Sequence, residues 1–328
     1  MSNALVVIKN LSNTYRTRSY GGFGREVIRP VLDHITLEIG QGEIFGLVGE
    51  SGCGKTSLGN SLLGLIAYEG DIIIDGLRQN HQGRLKRSKA LARKVQAVFQ
   101  DPGAALNPAK TIGWLMEEPL RIHGIGTKQE RIKKVDAMLH RVGLDPGYKT
   151  RRIHELSGGQ KQRVCIGCAL MLEPKLIVAD EAVSSLDVSV GAQILNLFQD
   201  LHQSLGLGML FISHNLHVVY HLCHRIGVMY KGQILELGTA QAVYSHPGHP
   251  YTQALLEAAL GSELSDVSGQ PSEGLYQKQG CSFVARCPWK RPGCGKTTPR
   301  LINIAPPEAP PQEVRCFLLH TEEGKVKK

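Results

Sequence analysis

Gly49-Glu50-Ser51-Gly52-Cys53-Gly54-Lys55-Thr56 is the stretch whose reading decides the fold. The apolar run Ile44 to Val48 precedes it and predicts a buried strand; Thr56 to Leu65 follows and predicts a helix. Strand, glycine-rich turn and helix in that order make a phosphate cradle. The glycines let backbone N–H groups close around a β-phosphate, and the helix N-terminus adds about half a positive charge. Lys55 reaches the β- and γ-phosphates in such a cradle, and the Thr56 hydroxyl ligates Mg²⁺. The alternative, a glycine turn that merely precedes Lys-Thr, explains neither the strand nor the partners downstream.

Those partners lie along the chain in order. Leu176–Ala179 predicts a fully buried parallel strand ending in Asp180-Glu181, at the strand end where open α/β sheets present ligands. Two adjacent carboxylates there can divide the work, Asp180 holding Mg²⁺ and Glu181 orienting or deprotonating a water. Lys94–Gln100 predicts another strand, broken by Asp101-Pro102-Gly103, and Met209–Ser213 a further one, ending at His214. Leu156-Ser157-Gly158-Gly159-Gln160 opens a helix expected to run to Leu172, before Pro174. Residues 111–155 are helical in pattern, with Ile132, Val135, Met138, Leu139 and Val142 on one face and Gly143 as cap. Near the start, Leu5–Ile8 and Ile35–Ile39 read as short strands flanking a polar, Gly-rich insert from Arg16 to Arg29. Asp71–Asp75 with Gly76 reads as strand and turn, and Val228–Tyr230 with Ile234–Leu237 as a hairpin around Lys231-Gly232.

Composition narrows the class. The chain has 328 residues, 42% hydrophobic and 20% charged, which is globular composition. No apolar run approaches the ~20 residues of a membrane helix, and Met1-Ser2-Asn3 opens no signal-peptide core, so a reducing cytosol is expected. The net charge is +9, and the one dense basic run, Arg84 to Lys94, has no acid and no aromatic residue in it. It reads as a solvated face rather than a nucleic-acid groove. Cys165 and Cys168 read as small buried hydrophobes. Beyond about Gly261 the chain becomes loop-rich, with Pro306, Pro307, Pro310 and Pro311 close together.

The ordered set resembles the ATP-binding-cassette ATPases over roughly residues 5–260. Gly49–Thr56, with Ser57 after it, looks like Walker A; Leu176–Glu181 looks like Walker B; Leu156–Gln160 is an unaltered LSGGQ signature. Gln100 resembles the Q-loop glutamine, Ser184-Ser185-Leu186-Asp187 the D-loop, His214 the switch histidine, and Tyr15 the aromatic that stacks on adenine. The resemblance implies a P-loop α/β fold, a RecA-like core with a helical subdomain at about 101–163. It implies ATP and Mg²⁺ as ligands, the metal held by Thr56, Gln100 and Asp180. Ser157, Gly158, Gly159, Gln160 and Asp187 would then serve nucleotide held by an opposite subunit. One departure stands out: Glu181-Ala182-Val183-Ser184-Ser185-Leu186-Asp187 replaces the family's Glu-Pro-Thr-Ser-Ala-Leu-Asp, which should loosen a turn beside the catalytic carboxylate.

Val98-Phe99-Gln100-Asp101-Pro102, Leu106-Asn107-Pro108 and His249-Pro250-Tyr251-Thr252-Gln253-Ala254-Leu255-Leu256 are similar to the oligopeptide/dipeptide/nickel importer branch. Gly280-Cys281-Ser282-Phe283 and Arg286-Cys287-Pro288 resemble its C-terminal extension, here 261–328. Cys281, Cys287, Cys294 and Cys316, with gaps of five, six and twenty-one residues, offer four thiolates for a four-iron four-sulfur cluster or, as an alternative, zinc. This branch implies a peripheral ATPase on the cytoplasmic face of the inner membrane. Its partners would be a second, different ATPase subunit, two permeases and an extracytoplasmic substrate-binding protein, with no nucleic acid. Peptide is the expected cargo, nickel or a metal chelate the alternative. Two readings of another class stand beside it: a nucleic-acid ATPase using residues 84–94, and a metal- or redox-sensing ATPase centred on the tail.

Overall fold

The structure is a computed structural model that describes residues 4–18, 26–79, 88–259 and 279–319. Its strands are β1 (Ala4–Arg18), β2 (Glu26–Gly40), β3 (Ile44–Val48), β4 (Glu69–Ile74), β5 (Leu77–Arg78), β6 (Val95–Val98), β7 (Leu176–Asp180), β8 (Gly208–Ser213), β9 (Arg225–Tyr230), β10 (Gln233–Thr239), β11 (Ile302–Asn303) and β12 (Glu313–Val314). Its helices are α1 (Lys55–Leu62), α2 (Lys89–Lys94), α3 (Pro102–Ala105), α4 (Ile112–Ile122), α5 (Lys128–Arg141), α6 (Gly158–Leu170), α7 (Val188–Leu205), α8 (Leu216–Leu222), α9 (Ala240–Ser245) and α10 (Pro250–Ala259).

Two sheets carry the molecule. The larger has the order β11-β12-β10-β9-β3-β8-β7-β6, and the smaller β2-β1-β4-β5. From β9 to β6 neighbours run parallel, and the edge through β10, β12 and β11 is antiparallel. Parallel strands covered on both faces must be apolar throughout. Accordingly β3 and β8 are buried at every residue, and β7 at all but Asp180. One apolar cluster joins β7, β8 and α7 to the helical region, where Met116, Leu120, Leu139 and Val164 are buried. A second joins the β1–β2–β4 sheet to α1 through Ile8, Ile39, Leu58 and Ile72.

Several expected boundaries shift. α1 stops at Leu62 rather than Leu65, because Leu63 closes the turn and Gly64 bends away with φ 68°. β6 ends at Val98, two residues short of Gln100, and α6 at Leu170. Ile132 is exposed on the outer side of α5, while Val135, Met138, Leu139 and Val142 are buried. The two short strands near the start are the buried ends of one long hairpin: β1 and β2 pair antiparallel from Ala4↔Gly40 to Arg18↔Glu26, through both ends of the supposed insert. The hairpin Arg225–Thr239 turns at Lys231 (φ 42°) and Gly232 (φ 78°), the left-handed pair that a tight antiparallel turn requires. Part of the basic run, Arg84 to Arg87, and the expected boundary at Gly261 lie outside the described residues.

The tail joins the large sheet. β12 pairs with β10 at Glu236↔Val314, and β11 pairs with β12. Cys281, Phe283 and Cys294 belong to the same apolar cluster as the sheet core. Among the described residues no helix is long and apolar enough to cross a membrane.

Candidate functional site

Three parallel strands end together at the site: β3 delivers the phosphate loop, β7 delivers Asp180-Glu181, and β8 delivers Ser213-His214. The loop's close packing needs glycine. A Cβ on Gly49 would lie 2.1 Å from the Met229 carbonyl oxygen, and one on Gly54 (φ 109°) 2.7 Å from that of Val31. Gly54 caps α1, whose axis points its free N–H groups at the loop. Lys55 is buried and its Nζ donates to the Gly49 (2.8 Å) and Glu50 (2.9 Å) carbonyl oxygens. Cys53 packs beneath it, with Sγ 3.8 Å from Nζ, and burial pushes its thiol up. Ser51, Gly52 and Thr56 are exposed, and Ser57 is half-buried in the first turn of α1.

The Thr56 hydroxyl donates to Asp180 Oδ1 at 3.3 Å, joining the two ends of the core motif across 124 residues. Burial pushes the Asp180 carboxyl up and the Glu181 charge adds to it, while the Thr56 hydrogen bond and Lys55 oppose them. A hydroxyl and a carboxylate at this spacing beside a buried ammonium are oxygen donors of the kind Mg²⁺ takes. Glu181 sits at φ 48°, and its Oε2 is 3.5 Å from His214 Nδ1. The turn after it lacks the family's proline yet is closed: the Ser184 amide (3.1 Å) and hydroxyl (2.9 Å) both donate to the Glu181 carbonyl oxygen. The loosened turn expected from Ala182-Val183 is therefore pinned, and Ala182 itself is buried. Gln100 is exposed just past β6, and its carbonyl oxygen accepts from the Ser185 hydroxyl at 3.3 Å. Tyr15 stands exposed on β1 opposite Arg29.

The signature turn is built differently. Ser157 accepts from the Gln160 amide and Gln160 Oε1 accepts from the Ser157 amide, a reciprocal cap that opens α6. Gln160 Nε2 also donates to the Tyr148 hydroxyl at 3.1 Å. Ser157 and Gly158 are exposed, as is Asp187 at the start of α7. No hydrogen bond among the described residues joins this turn to Lys55, Asp180, Glu181 or His214.

Two residues at the site went unassigned in the sequence. Tyr251 on α10 has its hydroxyl 2.9 Å from the Glu50 amide, which donates to it. Arg286, from the tail, places one guanidinium nitrogen 2.9 Å from both Glu50 carboxylate oxygens. Their contacts span 201 and 236 residues, which no local pattern can reveal.

The four tail cysteines converge without forming a metal cage. The Cys281 amide donates to the Cys294 carbonyl oxygen at 2.7 Å. Burial pushes Cys316 up to about 11, the neighbouring Cys281, Cys287 and Cys294 adding to it. Among the described residues no three His, Cys, Asp or Glu side chains stand at metal-holding distance. The expected cluster or zinc thus has its donor set near one another and not its geometry. Cys165 is buried, and burial raises both it and Cys168, as inert core thiols behave.

Comparison with known proteins agrees with this geometry. Residues 32–184 match the ABC transporter family, and residues 235–294 the oligopeptide/dipeptide transporter C-terminal region. A Brucella ovis protein named for peptide import ATP binding is 42% identical over 311 residues, 92% of this chain and 95% of its own. A Brucella abortus protein named likewise is 45% identical over 300 residues, 90% of this chain and 88% of its own. A dimeric ATP-binding cassette solved in a post-hydrolysis state with ADP and Pi superposes with TM-score 0.61 at 28% identity, covering 72% of this chain and 98% of that one. A Clostridium perfringens component of an ABC transporter complex gives 0.63 at 25%, covering 75% and 92%. Phosphate loop, paired carboxylates and relatives together establish that the chain belongs to the ATP-binding subunits of ABC transporters, in the branch with an oligopeptide/dipeptide-type C-terminal region, and that it is an ATPase.

Proposed function

We propose that this chain powers the import of di- or oligopeptides across the cytoplasmic membrane, working as half of a nucleotide sandwich docked on permease subunits. The observation that carries the reading is the meeting of Thr56 with Asp180 and of Glu181 with His214 at one end of the parallel sheet. Peptide as cargo draws its support from the names of the relatives and the matched C-terminal region.

The meeting of these side chains supports the following division of labour. Backbone amides of Gly52 to Thr56, with Lys55, bind the β- and γ-phosphates; Tyr15 stacks on the base. Thr56, Asp180 and Gln100 would hold Mg²⁺, which when bound neutralises charge building on the transferred phosphoryl group. Glu181 takes the proton of the attacking water, and His214, 3.5 Å from it, fixes its direction. Ser157 to Gln160 and Asp187 offer free amides and a helix end to the nucleotide of the opposing subunit. Residues 1–260 form the cassette, about 101–163 its helical subdomain and 261–328 the extension, whose four cysteines would take a four-iron four-sulfur cluster or zinc. The partners are a second cassette, two permeases and an external binding protein, and the site of action is the inner face of the membrane.

The test is ATPase activity of the purified membrane assembly with candidate ligands on its binding protein. Stimulation by peptides supports the reading. Stimulation only by nickel or its chelates, or salt-sensitive DNA binding without permeases, overturns it. Iron and sulfide analysis of anaerobic protein decides the tail.

A further inference from the structure

Glu50 is an awkward residue for a phosphate cradle. Its carboxylate belongs to the second residue of the loop that would cradle an anionic ligand, and like charges there cost binding. The tail answers it. Arg286 Nη1 lies 2.9 Å from each carboxylate oxygen, and the guanidinium side chain is 17% exposed. Its guanidinium carbon lies over the Tyr230 and Phe283 rings, 5.8 and 5.7 Å from their centroids. Phe283 is buried edge-on against Tyr230. Tyr251, also packed on Tyr230, accepts from the Glu50 amide, so one loop residue is fixed through its backbone by α10 and through its side chain by the tail.

We infer that Arg286 is a positioning residue for ATP binding, holding the Glu50 carboxylate aside and neutralising it, which makes the C-terminal extension a working part of the phosphate site. The inference rests on the ATP site argued above. Removing the guanidinium frees an uncompensated carboxylate beside the phosphates; removing the carboxylate as well abolishes that repulsion. A merely structural arginine predicts no such rescue.

Nucleotide affinity of the full-length chain, measured with a fluorescent ATP analogue at low and high salt, separates the cases. Arg286→Ala and the near-isosteric Arg286→Gln should bind on the order of three- to tenfold more weakly, most strongly at low salt. Arg286→Lys should keep part of the affinity, and Glu50→Gln combined with Arg286→Gln should return to within about twofold of Glu50→Gln alone. In the assembly the ATP KM should rise while kcat holds. Wild-type affinity in both Arg286 variants, or a double variant as weak as Arg286→Gln, overturns the inference and leaves the ATP site standing. Failure of the wild-type chain to bind nucleotide, with Lys55→Ala no different, overturns the site reading and the inference with it.

Discussion

The phosphate loop and the signature turn are both glycine-bearing helix starts, yet the chain treats them in opposite ways. The loop before α1 is finished within one molecule: Lys55 is buried, Thr56 reaches Asp180, and Glu50 is gripped by Tyr251 and Arg286. The turn before α6 is closed by the Ser157–Gln160 cap and steadied by Tyr148, and it presents Ser157 and Gly158 to solvent. A helix end left bare with free amides is costly unless something occupies it. On the proposed function, the contrast is between a half-site preorganised within one chain and a half that a second subunit would complete. A mutation can then be assigned to binding by one chain or to closure between two.

The largest break in that comparison comes from Glu181→Gln. Losing a positioned general base should lower turnover roughly 10²–10⁴-fold while ATP still binds, so the closed pair accumulates. Steady-state ATPase assays and size-exclusion with Mg-ATP check it; a variant that turns over at the wild-type rate removes Glu181 from the chemistry. Lys55→Ala attacks the preorganised half. It deletes charge-assisted bonds of ~1.5–3 kcal/mol, so affinity should fall about ten- to a hundredfold in the isolated chain, read by nucleotide titration.

Acid offers a subtler probe of the same half. His249 is buried on the α10 side of Glu50, and burial holds it down to about 3. Its Nδ1 accepts from the Tyr251 amide at 2.9 Å, and its Nε2 has no hydrogen-bond partner among the described residues. Its folded value is below its unfolded one, so the unfolded chain takes the proton first. Stability is therefore whole above pH 6.5 and is lost at up to about 1.4 kcal/mol per pH unit as pH falls toward 3. Glu236, pushed up by burial, acts in the opposite sense, so the difference between wild type and His249→Gln isolates the histidine. That difference should reach about 2 kcal/mol by pH 5 in urea melts. Identical pH profiles would show that His249 opens to water.

The smallest effect belongs to the other half. Ser157→Ala removes a cap of about 1 kcal/mol and should weaken ATP-driven pairing some fivefold, leaving binding by the single chain unchanged. Analytical ultracentrifugation of a Glu181→Gln background reads it. Equal loss in binding and pairing would erase the contrast between the two turns.

What the sequence made legible follows the same division. Ile44 to Thr56, Leu176 to Glu181 and the Lys231-Gly232 turn are local: apolar runs, glycines at required φ values and carboxylates at strand ends are set by neighbours within ten residues. The grip on Glu50, the return of β12 to pair with β10, and the pairing of β1 with β2 across the polar insert join residues far apart in the chain. Periodicity carries no information about such pairings, and a polar, Gly-rich composition at 16–29 pointed away from a strand. The spacing of the strand-end motifs was legible because the parallel strands β3, β7 and β8 all present their C-terminal ends at one edge of the sheet.

Gln312 Nε2 donates to the buried Glu236 carboxylate at 2.8 Å, and Val314 covers the backbone at Gly248. Truncation before the extension would therefore strip a sealed sheet margin: the outer side of β10 would lie open, offering unpaired amides and carbonyls to any passing chain. Shortened versions should clump through edge-to-edge strand addition rather than persist as compact cassettes, and the extension doubles as the guard that keeps neighbouring copies from fusing.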